Sequence, residues 1–379
     1  MALSELFTDY TLRTVALGSI FLGIVSGTLG TYAVLRKQSL IGDMVSHAAL
    51  PGICLSFLII GSKNTEWLLL GAFLAGWIAT IIINIIHTHS KIKYDSALGT
   101  VLAVFFGFGL VLLTYIQKIP NANQAGLENF LFGQVSTILQ RDVIFMGIVA
   151  VFTILPVILF WKEFKLLSFD HDFAAIIGFS TNKLDLLLTT LMVIAVIAGL
   201  QSVGVVLMSA MLIAPAVSAR QWTDKLSVMI VLSSIFGAVS GVVGTLISSS
   251  IPKMPTGPII VVVVTIIAFI SMLFAPNRGL IWKKVRDYYN KKELSTHMVL
   301  NNLYILAKNH EDPFHPHDLE TICLYNNGLR LSKRMMKKEL NKLKISGLAK
   351  EYEEGNWAIT PEGFKKMEEI HFEGGGDME

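Results

Sequence analysis

Asp43 and His47 stand four positions apart at the start of an apolar run, in the segment "GDMVSHAALPG" at 42–52. Residues at i and i+4 lie on one face of a helix, so a carboxylate oxygen and an imidazole nitrogen can converge there on one cation. This donor pair suits divalent zinc, manganese and iron. Ser46, on a neighbouring face, is a further candidate donor. The competing interpretation is that Asp43 caps a helix beginning near Gly42 and that His47 bonds to a neighbouring helix.

The composition around this pair is that of an integral membrane protein. Of the 379 residues, 53% are hydrophobic and 16% charged, and the mean hydropathy is +0.59. A helix needs about 20 apolar residues to cross a bilayer. Charge-free windows run over 14–35, 48–62, 67–86, 96–117, 143–161, 186–219, 226–252 and 254–277. The 186–219 window is long enough for two helices, with a break at "GLQSVG", so we expect about nine spans.

Charge divides the chain into two parts. More than half of the charged residues of each sign follow residue 282. We therefore predict a transmembrane domain at 1–280, a soluble domain at 281–372 and a disordered tail at 373–379. Basic loops fall on every second connection, which predicts an external N-terminus and a cytosolic soluble domain. The net charge of +3 does not indicate a nucleic-acid partner, and two cysteines give neither a disulfide framework nor a thiolate metal site.

One loop on the predicted cytosolic side, "SFDHDFAAIIGFS" at 168–180, has the pattern of a short helix. Ser168 and Asp170 are candidate N-caps, and Gly178 is a candidate stop. Apolar residues at helical spacing give it one hydrophobic face, formed by Phe173, Ile176 and Ile177. We expect either an amphipathic helix at the lipid interface or a docking element for a cytosolic partner.

The soluble domain has the pattern of three helices, a β-hairpin and a last helix, as in a winged-helix domain. Between its first two helices stands "HEDPFHPHD". This segment is either a solvated polar linker or a cytosolic metal sensor, and the candidate sensor residues are His310, Asp312, His315 and His317.

Motifs of several enzyme classes are missing from the sequence. It contains no G-x-x-x-x-G-K-[ST] nucleotide loop, no H-E-x-x-H metalloprotease helix and no G-x-S-x-G nucleophile turn. The chain therefore carries no ATPase site of its own, and the sparse polar residues of its apolar windows, including Gln201, Ser202 and Ser209, favour a lined path through the membrane over the catalytic centre of an enzyme.

Four ordered segments carry a resemblance to a known family. "LIGDMVSHAALPGICLSFLI" resembles the signature of the ABC-3 permeases of zinc, manganese and iron ABC importers. "LFGQVSTI" is similar to the family's LFG-containing outer segment, and "FDHDFAAIIGF" to its cytoplasmic D-x-x-x-A-x-x-x-G loop. "VGVVLMSAMLIAPAVSAR" is similar to its L-L-x-x-x-L-L-I-x-P-A-x-x-A-R segment. The match covers roughly residues 10–277.

This resemblance implies an all-α polytopic membrane fold of about 8–9 helices, similar to the cobalamin importers. It implies two permease chains, identical or related, two cytosolic ABC ATPase subunits that bind ATP, and an external metal-binding lipoprotein or periplasmic protein. The location implied is the cell membrane of a prokaryote. No permanent cofactor is implied, because the divalent metal is the cargo. Asp43 and His47 would line the translocation path. The coupling contact with the ATPase would comprise Phe169, Asp170, Asp172, Phe173, Ala174, Ile177 and Gly178.

The tail is similar to the α+β winged-helix domain of iron-dependent repressors. Its basic segment at 330–344 could read DNA, but the balanced charge and the membrane tether favour a dimerising or regulatory contact. Two further functions compete with metal import: a siderophore or cobalamin permease, and a membrane-tethered metal-responsive regulator. The carboxylate and imidazole pair argues against the first, since a bulky chelate needs no protein ligands.

Overall fold

The computed structural model describes the chain in two compact units. The units are Met1–Leu280 and Ile281–Glu379. The described residues are 9–62, 64–119, 138–251, 254–310, 312–324, 333–352 and 355–374. The expected outer segment at 131–138 therefore lies, except for Ile138, outside the described residues.

The first unit is built from helices alone in its described part. In chain order these are α1 Tyr10–Leu35, α2 Ile41–Ile60, α3 Thr65–His89, α4 Tyr94–Lys118, α5 Gln140–Leu159, α6 Trp161–Phe169, α7 His171–Ile176, α8 Thr181–Val203, α9 Val205–Trp222, α10 Leu226–Ser250 and α11 Thr256–Phe274. Eight of the described helices are long and apolar enough to cross a membrane, namely α1 to α5, α8, α10 and α11. The predicted polytopic all-α membrane fold is confirmed.

A glycine divides the long apolar window at 186–219 into two helices. Gly204 separates α8 from α9 and has φ +85° and ψ 170°. A residue with a Cβ rarely adopts that backbone conformation, whereas glycine does so without steric cost. The predicted break is confirmed. The second half of the window, α9, has 18 residues and packs against α1, α2, α10 and α11.

Glycines allow the central helices to approach closely. A Cβ on Gly23 of α1 would lie 2.4 Å from the Gly237 carbonyl carbon of α10, and one on Gly52 of α2 would lie 2.1 Å from the Gly71 oxygen of α3. Lipid gives little hydrophobic drive for helix association, so membrane helices gain stability from such close packing. Backbone contact therefore holds α1, which precedes the Asp43 segment, against α10, and holds α2, which contains it, against α3.

The second unit is small and has its own core. Its elements are α12 Leu280–Lys308, α13 Leu319–Leu324, α14 Lys333–Ile345, β1 Ala349–Glu351, β2 Trp357–Ile359 and α15 Pro361–Gly374. The two strands are antiparallel, with Ala349 opposite Ile359 and Glu351 opposite Trp357. Fully buried Trp357 packs in a cluster with Ile322 and other apolar side chains. The order of elements is the one predicted, while the winged-helix assignment stays a prediction. Residues 375–379 lie outside the described residues.

We predict that the α1–α10 contact tolerates no methyl group. Gly23→Ala should lower the stability of the folded chain by about 1–3 kcal/mol, because the two backbones must separate. Thermal unfolding of the detergent-solubilised protein measures this.

The matched control for that substitution is Gly107→Ala, since a Cβ on Gly107 of α4 meets nothing within 4 Å. Alanine there should be neutral or stabilise by up to about 1 kcal/mol, the difference in helix propensity. Equal unfolding midpoints for the two variants would show that the close approach of α1 and α10 contributes nothing.

Candidate functional site

A tight turn between α1 and α2 positions Asp43. The Gln38 N–H donates to the Ala33 carbonyl at 2.8 Å, and Lys37 in this turn has φ +57°. The helix then begins at Ile41, after the N-cap residue Leu40, which makes no side-chain capping bond. Asp43 therefore lies within the first turn rather than at the cap, so the interpretation of Asp43 as an N-cap is wrong.

Asp43 and His47 form a pair on the accessible side of α2. His47 Nε2 lies 3.5 Å from Asp43 Oδ1, and the side chains are 22% and 38% exposed, respectively. The His47 ring stands edge-on to Phe106 of α4, with ring centroids 4.6 Å apart. Ser46 is fully buried, and its hydroxyl has no hydrogen-bond partner in the described residues. The structure thus brings Asp43 and His47 together and places Ser46 on a different, packed side of the helix.

The environment of this pair shows what it can do chemically. His47 Nδ1 is buried and has no hydrogen-bond partner within the described part of the chain. Pro51 has no N–H to donate to the His47 carbonyl one turn earlier. The His47 carbonyl oxygen therefore lacks its usual donor within the helix, close to the pair. Among the described residues, no group of three or more His, Cys, Asp or Glu side chains could hold a metal ion. The pair therefore supplies two donors, and a tighter site needs donors from elsewhere.

The short helix predicted at 168–180 is α7, with the expected start and stop. The Asp170 side chain accepts a hydrogen bond from the Phe173 N–H at 2.9 Å, and Gly178 has φ +99°. The other candidate cap, Ser168, instead donates to the Phe164 carbonyl at 2.7 Å within α6. Asp170 is thus the N-cap, and glycine ends the segment in the left-handed conformation that favours it.

Several apolar side chains in and beside α7, between residues 169 and 179, are exposed. We define the α7 surface as Phe169, Phe173, Ile176, Ile177 and Phe179, all exposed. Ala174 is buried beneath it, and Asp172 is fully exposed beside it. Exposed apolar patches of this kind mark sites of contact with protein or membrane.

Two charged residues that the sequence did not single out lie next to α7. Asp185 of α8 contacts both Arg36, at the end of α1, and His171, at the start of α7. All three line a cavity of ≈ 560 Å³. The signal in the sequence was weak: Arg36 and Asp185 each stand beside the edge of an apolar window. A single sequence does not show that the end of the window near Arg36 and the start of the window near Asp185 lie in contact in the fold.

Three of the four candidate sensor residues come together in the second unit. The rings of His310 and His315 stack with centroids 4.5 Å apart, and His317 lies 5.4 and 5.5 Å from them. Asp312 instead accepts from the Phe314 N–H at 3.0 Å, closing a local turn. His317 pairs by backbone with Trp357, donating at 2.9 Å and accepting at 2.8 Å. As the three rings lie, no group of three donors in the described residues could hold a metal ion.

The chain resembles known transport proteins over most of its length. The profile of the ABC 3 transport family matches residues 8–275. The zinc transport system membrane protein TroC of Treponema pallidum is 52% identical over 282 residues, covering 74% of this chain and 95% of TroC. The manganese transport system membrane protein MntC of Bacillus subtilis is 43% identical over 350 residues, covering 92% of this chain and 79% of MntC. The second alignment extends beyond the first unit.

Solved structures agree with these sequence matches. PsaBC from Streptococcus pneumoniae, determined in complex with Fab, aligns with a TM-score of 0.64 and 32% identity over 75% of this chain and 98% of that chain. A metal-chelate type ABC transporter in an inward-facing conformation aligns with a TM-score of 0.55 and 15% identity over 71% of this chain and 87% of that chain. The second likeness shows the fold alone.

We predict that the second unit loses stability as the pH falls. Burial lowers the pKa of His317 from its ordinary value of 6.5, and the charges of His310 and His315 lower it further. The unfolded chain therefore binds a proton more readily than the folded one, so the stabilisation is complete above pH 6.5 and is lost as the pH drops through the folded pKa. Amide hydrogen exchange at β2 in the full chain, corrected for intrinsic rates, measures this between pH 7.5 and roughly pH 5.

The variant that tests the assignment to His317 is His317→Gln, which should flatten the pH dependence at β2. The matched control is His297→Gln, because His297 is an exposed histidine of α12 in the same unit. A pH dependence in His317→Gln equal to that of the control would assign the effect to other groups.

Proposed function

Because the chain belongs to the ABC 3 transport family, we propose that it is the permease subunit of an ATP-driven importer that carries a divalent transition metal, manganese, zinc or iron, into the cytoplasm. The observation that carries the proposal is the Asp43 and His47 pair on the accessible side of α2. The relatives named above are described as zinc and manganese transport proteins, and the pair is the donor set that such metals accept.

Energetic cost supports a role for this pair in the translocation path. An ionised side chain within a membrane helix is expensive and persists where it faces a cavity, a pathway or a partner. Asp43 and His47 are partly exposed in a single chain, although the rest of the first turns of α2 is mostly buried. Two donors bind a cation weakly enough to release it, as a transporter requires. A second permease chain, or other helices, would complete the site during passage.

The α7 surface is the proposed seat of a cytosolic ATPase. The sequence has no nucleotide-binding loop, so hydrolysis belongs to a separate subunit. The five exposed apolar side chains of this surface lie in and beside a short, capped helix and so form a compact apolar patch. Phe169, Phe173 and Ile177 would make the contact, while Asp170, Ala174 and Gly178 would shape the helix. Asp172 is exposed beside them, with Oδ1 3.9 Å from His171 Nδ1, and would meet a polar group at the edge of the contact.

Transport would proceed by alternating access. Nucleotide binding and hydrolysis in the partner would move α7, and the helices would then expose Asp43 and His47 to the other side of the membrane. An external metal-binding lipoprotein or periplasmic protein would deliver the cation. The proposed location is the plasma membrane of a prokaryote, with the second unit in the cytosol, where it makes a dimerising or regulatory contact.

The first prediction from this proposal concerns the metal pair. Asp43→Ala and His47→Ala should each lower cellular uptake of Mn(II) and Zn(II) by about tenfold or more at normal protein level, because each removes one of two donors. Ser46→Ala is the matched control on the same helix, since its hydroxyl is buried away from the pair. Wild-type uptake in both Asp43→Ala and His47→Ala would sink the proposal.

The second prediction concerns the α7 surface. Ile176 is 81% exposed, so Ile176→Glu removes little packing within this chain. It should reduce co-purification of the ATPase and metal-stimulated ATP hydrolysis, because a charge would be buried at the contact.

The control for that substitution is Ile345→Glu, at an isoleucine of the second unit that is 88% exposed. It introduces the same charge at the same kind of position outside the α7 surface. Equal ATPase recovery with both variants would show that the partner binds elsewhere.

A further inference from the structure

One carboxylate joins the start of α7 to the end of α1. Asp185 Oδ2 lies 3.2 Å from His171 Nε2, and Asp185 Oδ1 accepts a hydrogen bond from Arg36 Nη2. His171 is the first residue of α7, Asp185 belongs to α8, and Arg36 is the C-cap of α1. Each oxygen therefore serves a different segment. We call this group of three residues the Asp185 junction.

Burial makes the Arg36 side of the junction strong. The Arg36 and Asp185 side chains are only 10% and 19% exposed. Charges that water screens poorly interact more strongly, and removing one partner leaves the other charge buried and uncompensated. His171, in contrast, is half-exposed. The junction is thus firmly anchored on α1 and α8 and more accessible at α7.

The turn after Arg36 joins the Asp185 junction to the helix that carries the metal pair. Arg36 N–H donates to the Tyr32 carbonyl at 3.0 Å, and the Ile41 N–H donates to the Gln38 carbonyl at 3.1 Å. The turn is short, hydrogen-bonded at both ends, and contains Lys37 at a positive φ that few non-glycine residues adopt. A segment closed in this way moves as one piece with the helix it starts. Asp43 stands in the first turn of that helix.

Space beside the junction lets it rearrange. The cavity of ≈ 560 Å³ is lined by Arg36, His171 and Asp185 and also by residues of α3 and α4, including His87 and Tyr94. Packed interiors resist small displacements, whereas side chains that border open space can adopt a second arrangement. The junction therefore combines a strong ionic contact with room to move.

We propose that the Asp185 junction couples α7 to α2, so that movement of α7 by the ATPase repositions Asp43 and His47. This inference rests on the proposed function and assigns Arg36, Asp185 and His171 as positioning residues, none of which contacts the metal. Breaking the junction uncouples ATP hydrolysis from transport. It leaves binding of the ATPase to the α7 surface intact, because the exposed apolar side chains of that surface are unchanged.

The experiment uses the complete complex of permease, ATPase and external binding protein in proteoliposomes, with Mn(II) and Zn(II) as cargo. The measured quantity is metal transported per ATP hydrolysed. Asp185→Asn and Arg36→Gln should each lower this ratio about tenfold, and the double variant should be no worse than either single one, as for two residues of one interaction. Basal ATP hydrolysis and ATPase co-purification should stay at wild-type values.

Additional variants keep the test decisive. His171→Ala should also lower the ratio, and it carries the test if loss of a buried charge prevents the other variants from folding. His87→Ala is the matched control, since His87 lines the same cavity and its ring packs on Tyr94 at 5.4 Å. Wild-type ratios in His171→Ala and in every folded variant at Asp185 or Arg36, or equal losses in His87→Ala, would overturn the proposal. A wild-type complex that transports neither metal would instead refute the proposed function.

Discussion

Charge in a low-dielectric environment is the constraint on which this membrane unit depends. Lipid offers no water to an ionised group, so each charge near a helix end needs a partner or an opening. Asp185 meets Arg36 and His171, Asp224 meets Arg278 at 2.7 Å, and Asp43 meets His47. These pairs lie at or near the ends of helices whose middles are apolar. The Asp43 pair differs from the Arg36 pair because its side chains stay accessible, and accessibility is what a cation requires.

Close helix packing turns these local pairs into a connected framework. Gly23 and Gly237 place the backbones of α1 and α10 in contact, and Gly52 and Gly71 do the same for α2 and α3. α1 and α2, the helix that carries the metal pair, also both pack against α9, so one helix restrains the two of them. In the proposed coupling, the Asp185 junction receives the displacement of α7, and the closely packed helices carry that displacement towards the metal pair.

Local patterns predicted local features well. The Asp170 cap, the Gly178 stop and the Gly204 break each follow from backbone chemistry within a few residues, and the structure confirms all three. The family resemblance was confirmed because four motifs in order are specific. The contact between Arg36 and Asp185 spans 149 positions, so no periodicity or spacing could show it. The convergence of His310, His315 and His317 likewise depends on how a loop meets a strand.

The surface around α7 has a consequence for how cells must make this protein. Five apolar side chains are exposed in and beside this helix of six residues: Phe173 and Ile176 within it, Phe169 before it, and Ile177 and Phe179 after it. Until a partner covers them they are a site for aggregation or for recognition by proteases. In the proposed assembly, permease chains synthesised in excess of the ATPase keep this surface exposed and are subject to aggregation or degradation. The amount of permease that accumulates is therefore limited by the amount of ATPase available to bind it, and stable accumulation requires synthesis of the two subunits in matched amounts.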